Sequence, residues 1–238
     1  MSPVTTPAVR HDLLTPAQQH RLLAGAPWRR LVVMGDSIAA GIGDPTPGYP
    51  DRPWGDQLAD ALAATGPGTA YLNVGVRGLK AGEILATQLE PALGFGPDLA
   101  VVSSGGNDLL AQRFDTDAVA GDIEAVVALL AASGAKVVTF SLFDLSATPF
   151  VPDEMREGLR TRLVQLAEVT EAISAAHGGI HVDYLSDPRT GDPAVYSEDR
   201  LHANRRGHAL VLARMVEALG AALGNSPSLD LDHPLATG

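Results

Sequence analysis

The 238-residue chain has no cysteine, which excludes disulfides, thiolate nucleophiles and cysteine-ligated metals and leaves the fold to hold by packing. Lysine is nearly absent too, with Lys80 and Lys136 as the only two. The other positive charge is scattered arginine against a net charge of −11, so there is no basic stripe for phosphate backbones. Nucleic acid is therefore not an expected partner. No apolar run approaches the roughly 20 residues of a membrane helix. Met1 to Val9 lacks the basic region and apolar stretch of a secretory leader, and a cytoplasmic protein is expected.

At 45% hydrophobic, the chain can bury one sizeable core, and its composition shows no break. Its 25 glycines and 17 prolines punctuate apolar runs without forming a low-complexity tract. Thr15-Pro16, followed by Leu22, Leu23 and Gly25, reads as a short capped helix within an N-terminal extension over residues 1–28. The main domain is expected over 29–223, and 224–238 reads as an unpacked tail.

Five short apolar runs suit buried parallel strands: Leu31 to Met34, Tyr71 to Val76, Leu99 to Ser103, Val137 to Leu142 and Ile180 to Tyr184. Helical periods separate them, carried by Trp54/Leu58/Leu62, Ile84/Leu89, Val119/Ile123/Val127 and Leu159/Leu163/Leu166. A last helix starts near Asn204, a good N-cap. Strand–helix alternation with short links predicts an α/β fold, a three-layer α/β/α sandwich on a five-stranded parallel sheet of order 2-1-3-4-5. Ligands bind such sheets at the carboxyl ends of the strands.

Four motifs fall at that edge. Ser37, in Gly35-Asp36-Ser37, leaves strand 1 near an expected helix start, an exposed place for a nucleophile. His202 can take a serine proton, and Asp199, three residues earlier, can reach its ring and fix the tautomer. Asn107 offers a side-chain amide to an oxyanion, while Ser37 and Gly78 offer backbone N–H groups. Gly75 competes with Gly78 for this role, since either could serve the turn after strand 2. Asp36 and Asp108 read as loop-shaping residues and His208 as structural. His181 and Asp183 share a strand face without a third ligand, so no metal is expected.

These residues resemble the SGNH hydrolase superfamily, the GDSL-type esterases and lipases, from about Leu31 to Val216. Gly35-Asp36-Ser37-Ile38 is similar to the first block, with isoleucine for the usual leucine. Gly78 is similar to the second-block glycine, Gly105-x-Asn107-Asp108 to the third block and Asp199-x-x-His202 to the fifth, with Ala203 replacing a proline. The resemblance implies a flavodoxin-like sandwich without metal or organic cofactor. It also implies Ser37 as nucleophile, His202 as base, Asp199 as acid, and Ser37, Gly78 and Asn107 as the oxyanion hole.

The expected activity is hydrolysis of a carboxylic ester through an acyl-serine, on a small molecule or sugar carrying a short acyl group such as acetyl. Acyl transfer from the same site and a non-catalytic ligand-binding domain stay open, as does oligomeric state. Substrate-selecting loops are expected at 43–54, with Tyr49 and Trp54, and at 143–155, with Phe143, Leu145, Phe150 and Met155.

Overall fold

A computed structural model describes residues 13–226. Five parallel strands, β1 (Arg30–Gly35), β2 (Ala70–Asn73), β3 (Leu99–Ser103), β4 (Lys136–Phe140) and β5 (Ile180–Val182), form one sheet in the order β2-β1-β3-β4-β5. The order expected from the alternation is the one observed. Three strands stop two or three residues earlier than their apolar runs. Val74 and Val76 still donate to Val33 and Gly35 of β1, but the chain bends where Asn73 Oδ1 accepts from Gly75 N at 2.8 Å. At the end of β4, the hydroxyl of Ser141 accepts from Tyr184 N and Leu185 N, turning the chain after β5 out of the ladder.

Seven α-helices are described: α1 (Pro16–Leu22), α2 (Trp54–Ala63), α3 (Ala81–Phe95), α4 (Gly106–Leu109), α5 (Thr116–Ala132), α6 (Asp153–Ala176) and α7 (Arg205–Ala222). Strand side chains alternate faces, and both faces are covered. Leu31, Val33, Leu99 and Val101 pack with residues of α1, α2 and α7, whereas Val32, Met34, Ala100 and Val102 pack with α3, α5 and α6. The capped start of α1 is present, with Thr15 accepting from Gln18 N over Pro16. Leu22 and Leu23 are buried in the first cluster, and Asn225 Nδ2 reaches back to Leu22 O at 2.8 Å. The remainder of the expected tail, 227–238, and the segment read for a leader lie outside the described residues. Among the described residues, no helix is long and apolar enough to cross a membrane.

The chain has only two tryptophans, four tyrosines and five phenylalanines, and six of these form one edge-to-face series. It runs from Trp54 through Phe140, Tyr184, Phe143 and Tyr196 to Phe150, with centroids 5.6–6.2 Å apart. Such contacts each add about 0.5–1.5 kcal/mol beyond area burial. The series ties the core under α2 to the segment that carries Asp199 and His202.

Candidate active site

The last residue of β1 sets the floor. Gly35 has φ +140, and a Cβ there would lie 2.0 Å from Ser103 O of β3, so only glycine permits this approach. The buried Gln88 of α3 brackets the same residue, accepting from Gly35 N at 2.7 Å and donating to Gly35 O at 2.8 Å. No local signal marks this glutamine in the sequence. It fixes the strand end from which Ser37 leaves.

No helix starts at Ser37, contrary to expectation. Residues 37–41 make one turn, with Ala40 N donating to Asp36 O and Ile42 N to Ser37 O, and the next helix waits until Trp54. A full helix dipole is thus not directed at Ser37. Asp36 holds the turn instead, its Oδ1 accepting from Ile38 N at 2.9 Å. Burial raises the Asp36 carboxyl to about 6, a rise only partly opposed by the Ile38 hydrogen bond and by nearby His202. Trp54 caps the turn from outside, donating Nε1–H to Ile38 O at 2.8 Å.

Asp199, Arg200, Leu201 and His202 lie on a tight excursion closed by an isolated antiparallel bridge between Tyr196 and Ala203. Ser197 N donates to His202 O at 2.8 Å, and Arg200 N to Ser197 O at 2.9 Å. Arg200 has φ +60, the one positive φ outside glycine among the described residues. A strained residue there persists because the surrounding bonds determine it. Asp199 Oδ1 accepts from Leu201 N and His202 N, and Oδ2 lies 2.5 Å from His202 Nδ1. Burial pulls the Asp199 carboxyl up, but bonds from the His202 ring and from the two backbone groups outweigh it and hold it below the usual range.

The structure brings Ser37, Asp199, His202 and Asn107 together. His202 Nε2 lies 2.9 Å from Ser37 Oγ, and both side chains are buried. Asn107, on α4, lines the same cleft and donates Nδ2–H to Leu79 O at 2.9 Å and to Asp36 Oδ2 at 3.3 Å. Gly78 precedes Leu79 in an exposed turn at φ +85, linked to Asn107 through that carbonyl. Gly75 is enclosed: a Cβ there would lie 2.4 Å from Ala40 N. Asp108 caps the neighbouring element, accepting from Ala81 N at 2.9 Å.

Other candidates stand apart. His208 accepts from Trp54 N at Nδ1 and meets Ile42 O at Nε2, the pattern of a neutral ring, and burial lowers it to about 4. His181 Nδ1 pairs with Thr139 Oγ1, while Asp183 bonds Ser141 and Ser186. Of the two expected loops, only 143–155 reaches the cleft, through Phe143 and Leu145. Trp54 is consumed by the core, Phe150 packs edge-on against Tyr196, and Met155 is exposed.

Comparisons with solved structures agree with this architecture. The α/β hydrolase LAE5 from the metagenome of Lake Arreo, Spain, superposes at TM-score 0.65 with 20% identity, over 83% of this chain and 96% of that one. A lipase/acylhydrolase from Enterococcus faecalis gives TM-score 0.62 and 23% identity over 82% and 96%. A variant of Axe2, an acetyl xylan esterase from Geobacillus stearothermophilus, gives 0.64 and 19% over 85% and 96%. Among curated proteins, no sequence match is found. A family model matches residues 33–210, which span β1 to α7 and every motif named above, and by that match the chain belongs to the GDSL-like lipase/acylhydrolase family, hydrolases that act on esters.

Proposed function

We propose that the protein is a serine esterase that cleaves a carboxylic ester through an acyl-Ser37 intermediate. The observation that carries this reading is the unbroken series Asp199 Oδ2, His202 Nδ1, His202 Nε2 and Ser37 Oγ, at 2.5 and 2.9 Å. Asp199 accepts Nδ1–H and so leaves Nε2 as the lone-pair nitrogen facing the hydroxyl. As Ser37 Oγ attacks the ester carbon, its proton passes to Nε2, which then returns it to the departing alkoxide. A water molecule repeats the cycle on the acyl-serine, giving the carboxylic acid and free Ser37.

The developing oxyanion is received by the Asn107 amide and the backbone N–H groups of Ser37 and Gly78. Asn107 anchors one N–H firmly on Leu79 O. Its bond to Asp36 at 3.3 Å is long and the easier to redirect toward the oxyanion. Replacing a preorganised donor of this kind lowers kcat by about 10²–10³-fold.

The test is Ser37→Ala, with folding verified by circular dichroism. The variant should lose nearly all cleavage of p-nitrophenyl esters and all covalent labelling by a fluorophosphonate. Full labelling of the variant would overturn the assignment.

A further inference from the structure

Resting on the esterase reading, we propose that the site takes esters of apolar acyl chains longer than acetyl, not acylated sugars, and that a leucine-lined cleft between α4 and α6 selects them. The cleft opens beside Ser37, Asn107 and His202. Its wall beyond these residues is mostly apolar and includes Leu109, Leu110, Leu142, Leu145, Leu159 and Leu163, whose side chains carry no donor or acceptor. Leu159 and Leu163 stand four residues apart on one face of α6.

Asp36, a carboxyl that lines the cleft beside Ser37, is engaged by Ile38 N at 2.9 Å and by Asn107 Nδ2 at 3.3 Å. Tyr196, which also lines the cleft, donates its hydroxyl to Thr190 O at 2.7 Å. The carbonyl of Leu109 accepts from Arg162 Nη1 at 2.8 Å. A sugar hydroxyl placed on this wall would lose its water without gaining a partner, which a site selective for sugars avoids. An alkyl chain loses nothing there.

Exposure points the same way. Among the described residues only five large hydrophobic side chains are exposed; one of them, Leu110 at 47%, stands on this leucine wall, and another, Leu201 at 43%, stands beside the histidine. Apolar side chains left in water at the mouth of an apolar cleft form a surface that a chain-like ligand covers.

Stereochemistry assigns the chain to the acyl side. At the tetrahedral carbon on Ser37 Oγ, the oxyanion turns to Asn107 and the leaving oxygen faces His202 Nε2, which must protonate it. Leu201 and Tyr196 flank the histidine and accompany the leaving group. With the oxyanion on Asn107 of α4 and the leaving oxygen on His202, the acyl chain would run toward Leu159 and Leu163 of α6, which line the same cleft.

The experiment compares kcat/KM for p-nitrophenyl acetate, butyrate, hexanoate and octanoate, below their aggregation limits, with a parallel series of ethyl to hexyl acetates. Each enclosed methylene is worth about fourfold in binding. The acyl series should therefore rise at least about tenfold from acetate to hexanoate or octanoate, and the alcohol series should not. Leu159→Trp fills the cleft and should lower the octanoate-to-acetate ratio at least about fivefold. Leu110→Ser, at an exposed position that folding tolerates, should lower it about threefold. Acetate as the best substrate, a gain that follows the alcohol instead, or a ratio unmoved by both variants would overturn this inference while leaving the esterase reading intact. Failure of any ester to be cleaved in a Ser37-dependent way would sink the esterase reading and this inference with it.

Discussion

Asp44 Oδ2 accepts a hydrogen bond from the backbone N–H of Glu198 at 2.8 Å, across 154 positions of sequence. The backbone of the same residue holds the segment on both sides of the histidine: Asp44 N donates to Ser197 Oγ at 2.9 Å, and Asp44 O accepts from Arg205 N at 3.0 Å. One residue of the loop after β1 thus fixes the turn bearing Asp199 and His202 relative to the turn bearing Ser37.

Asp44→Ala should therefore lower kcat about tenfold with little change in KM, because it loosens the Ser37–His202 geometry and leaves the cleft in place. Asp44→Asn keeps an acceptor for Glu198 N and should restore most of the rate, which a charge effect alone would not allow. Steady-state kinetics on one p-nitrophenyl ester, with melting curves, separate these outcomes. Unchanged kcat in the alanine variant would show that the turn holds without this bond.

Two buried groups give opposite pH dependences of stability. His208 is lowered to about 4, so as pH falls below about 6.5 the unfolded chain gains protons that the folded ring refuses, and stability drops until about pH 4. Asp36 is raised to about 6, so the folded state holds its proton more tightly, and stability drops as pH rises from about 4 to about 6. The two largely offset each other in that window. Asp36→Asn should remove one side: the variant should gain up to about 3 kcal/mol at pH 7 and lose stability more steeply than the parent below pH 6. Denaturant titrations at pH 4.5, 6 and 7.5 measure this. Parallel pH curves for the two proteins would count against it.

The two glycines after β2 differ in physical demand. Gly75 needs its missing Cβ because the turn at Ala39 and Ala40 lies against it, whereas Gly78 has open space around it and only a positive φ to satisfy. Gly78→Ala should cost about 1–2 kcal/mol of stability from backbone strain. Gly75→Ala should cost more, and it should also lower esterase activity by displacing the turn that follows Ser37. Chemical denaturation of both variants ranks them, and a larger loss at Gly78 would reverse this interpretation.

The motif residues could be read because their signals are local. Asp199 and His202 are three positions apart, and Asn204 caps α7 directly, accepting from Arg206 N and Gly207 N as expected. The parallel sheet followed from the alternation of strands and helices. The missing helix after Ser37 was less visible, since Asp36 closes that turn with one side-chain bond and no apolar period records it. Asp44 and Gln88 act across 154 and 53 positions, beyond any local pattern. Leu159 and Leu163 read correctly as one face of a helix, but the same spacing serves a core face and a cleft wall alike. Choosing between them required knowing where α4 stands.

Asp199 supplies the sharpest test of the proposed proton relay. It accepts three bonds at once, from Leu201 N, His202 N and the His202 ring, so it shapes the turn as well as the imidazole. Asp199→Asn keeps an oxygen for the backbone donors, and folding should survive. Its amide can present an N–H to Nδ1, which favours the tautomer with the proton on Nε2 and removes the base facing Ser37. The expected loss in kcat is about 10²–10⁴-fold, with KM nearly unchanged. Asp199→Ala should lose comparable activity but also stability, because Leu201 N and His202 N forfeit their acceptor. Single-turnover fluorophosphonate labelling gives the direct measure, since it follows Ser37 attack alone: labelling of Asp199→Asn at the parent rate would show that Asp199 does not orient the base.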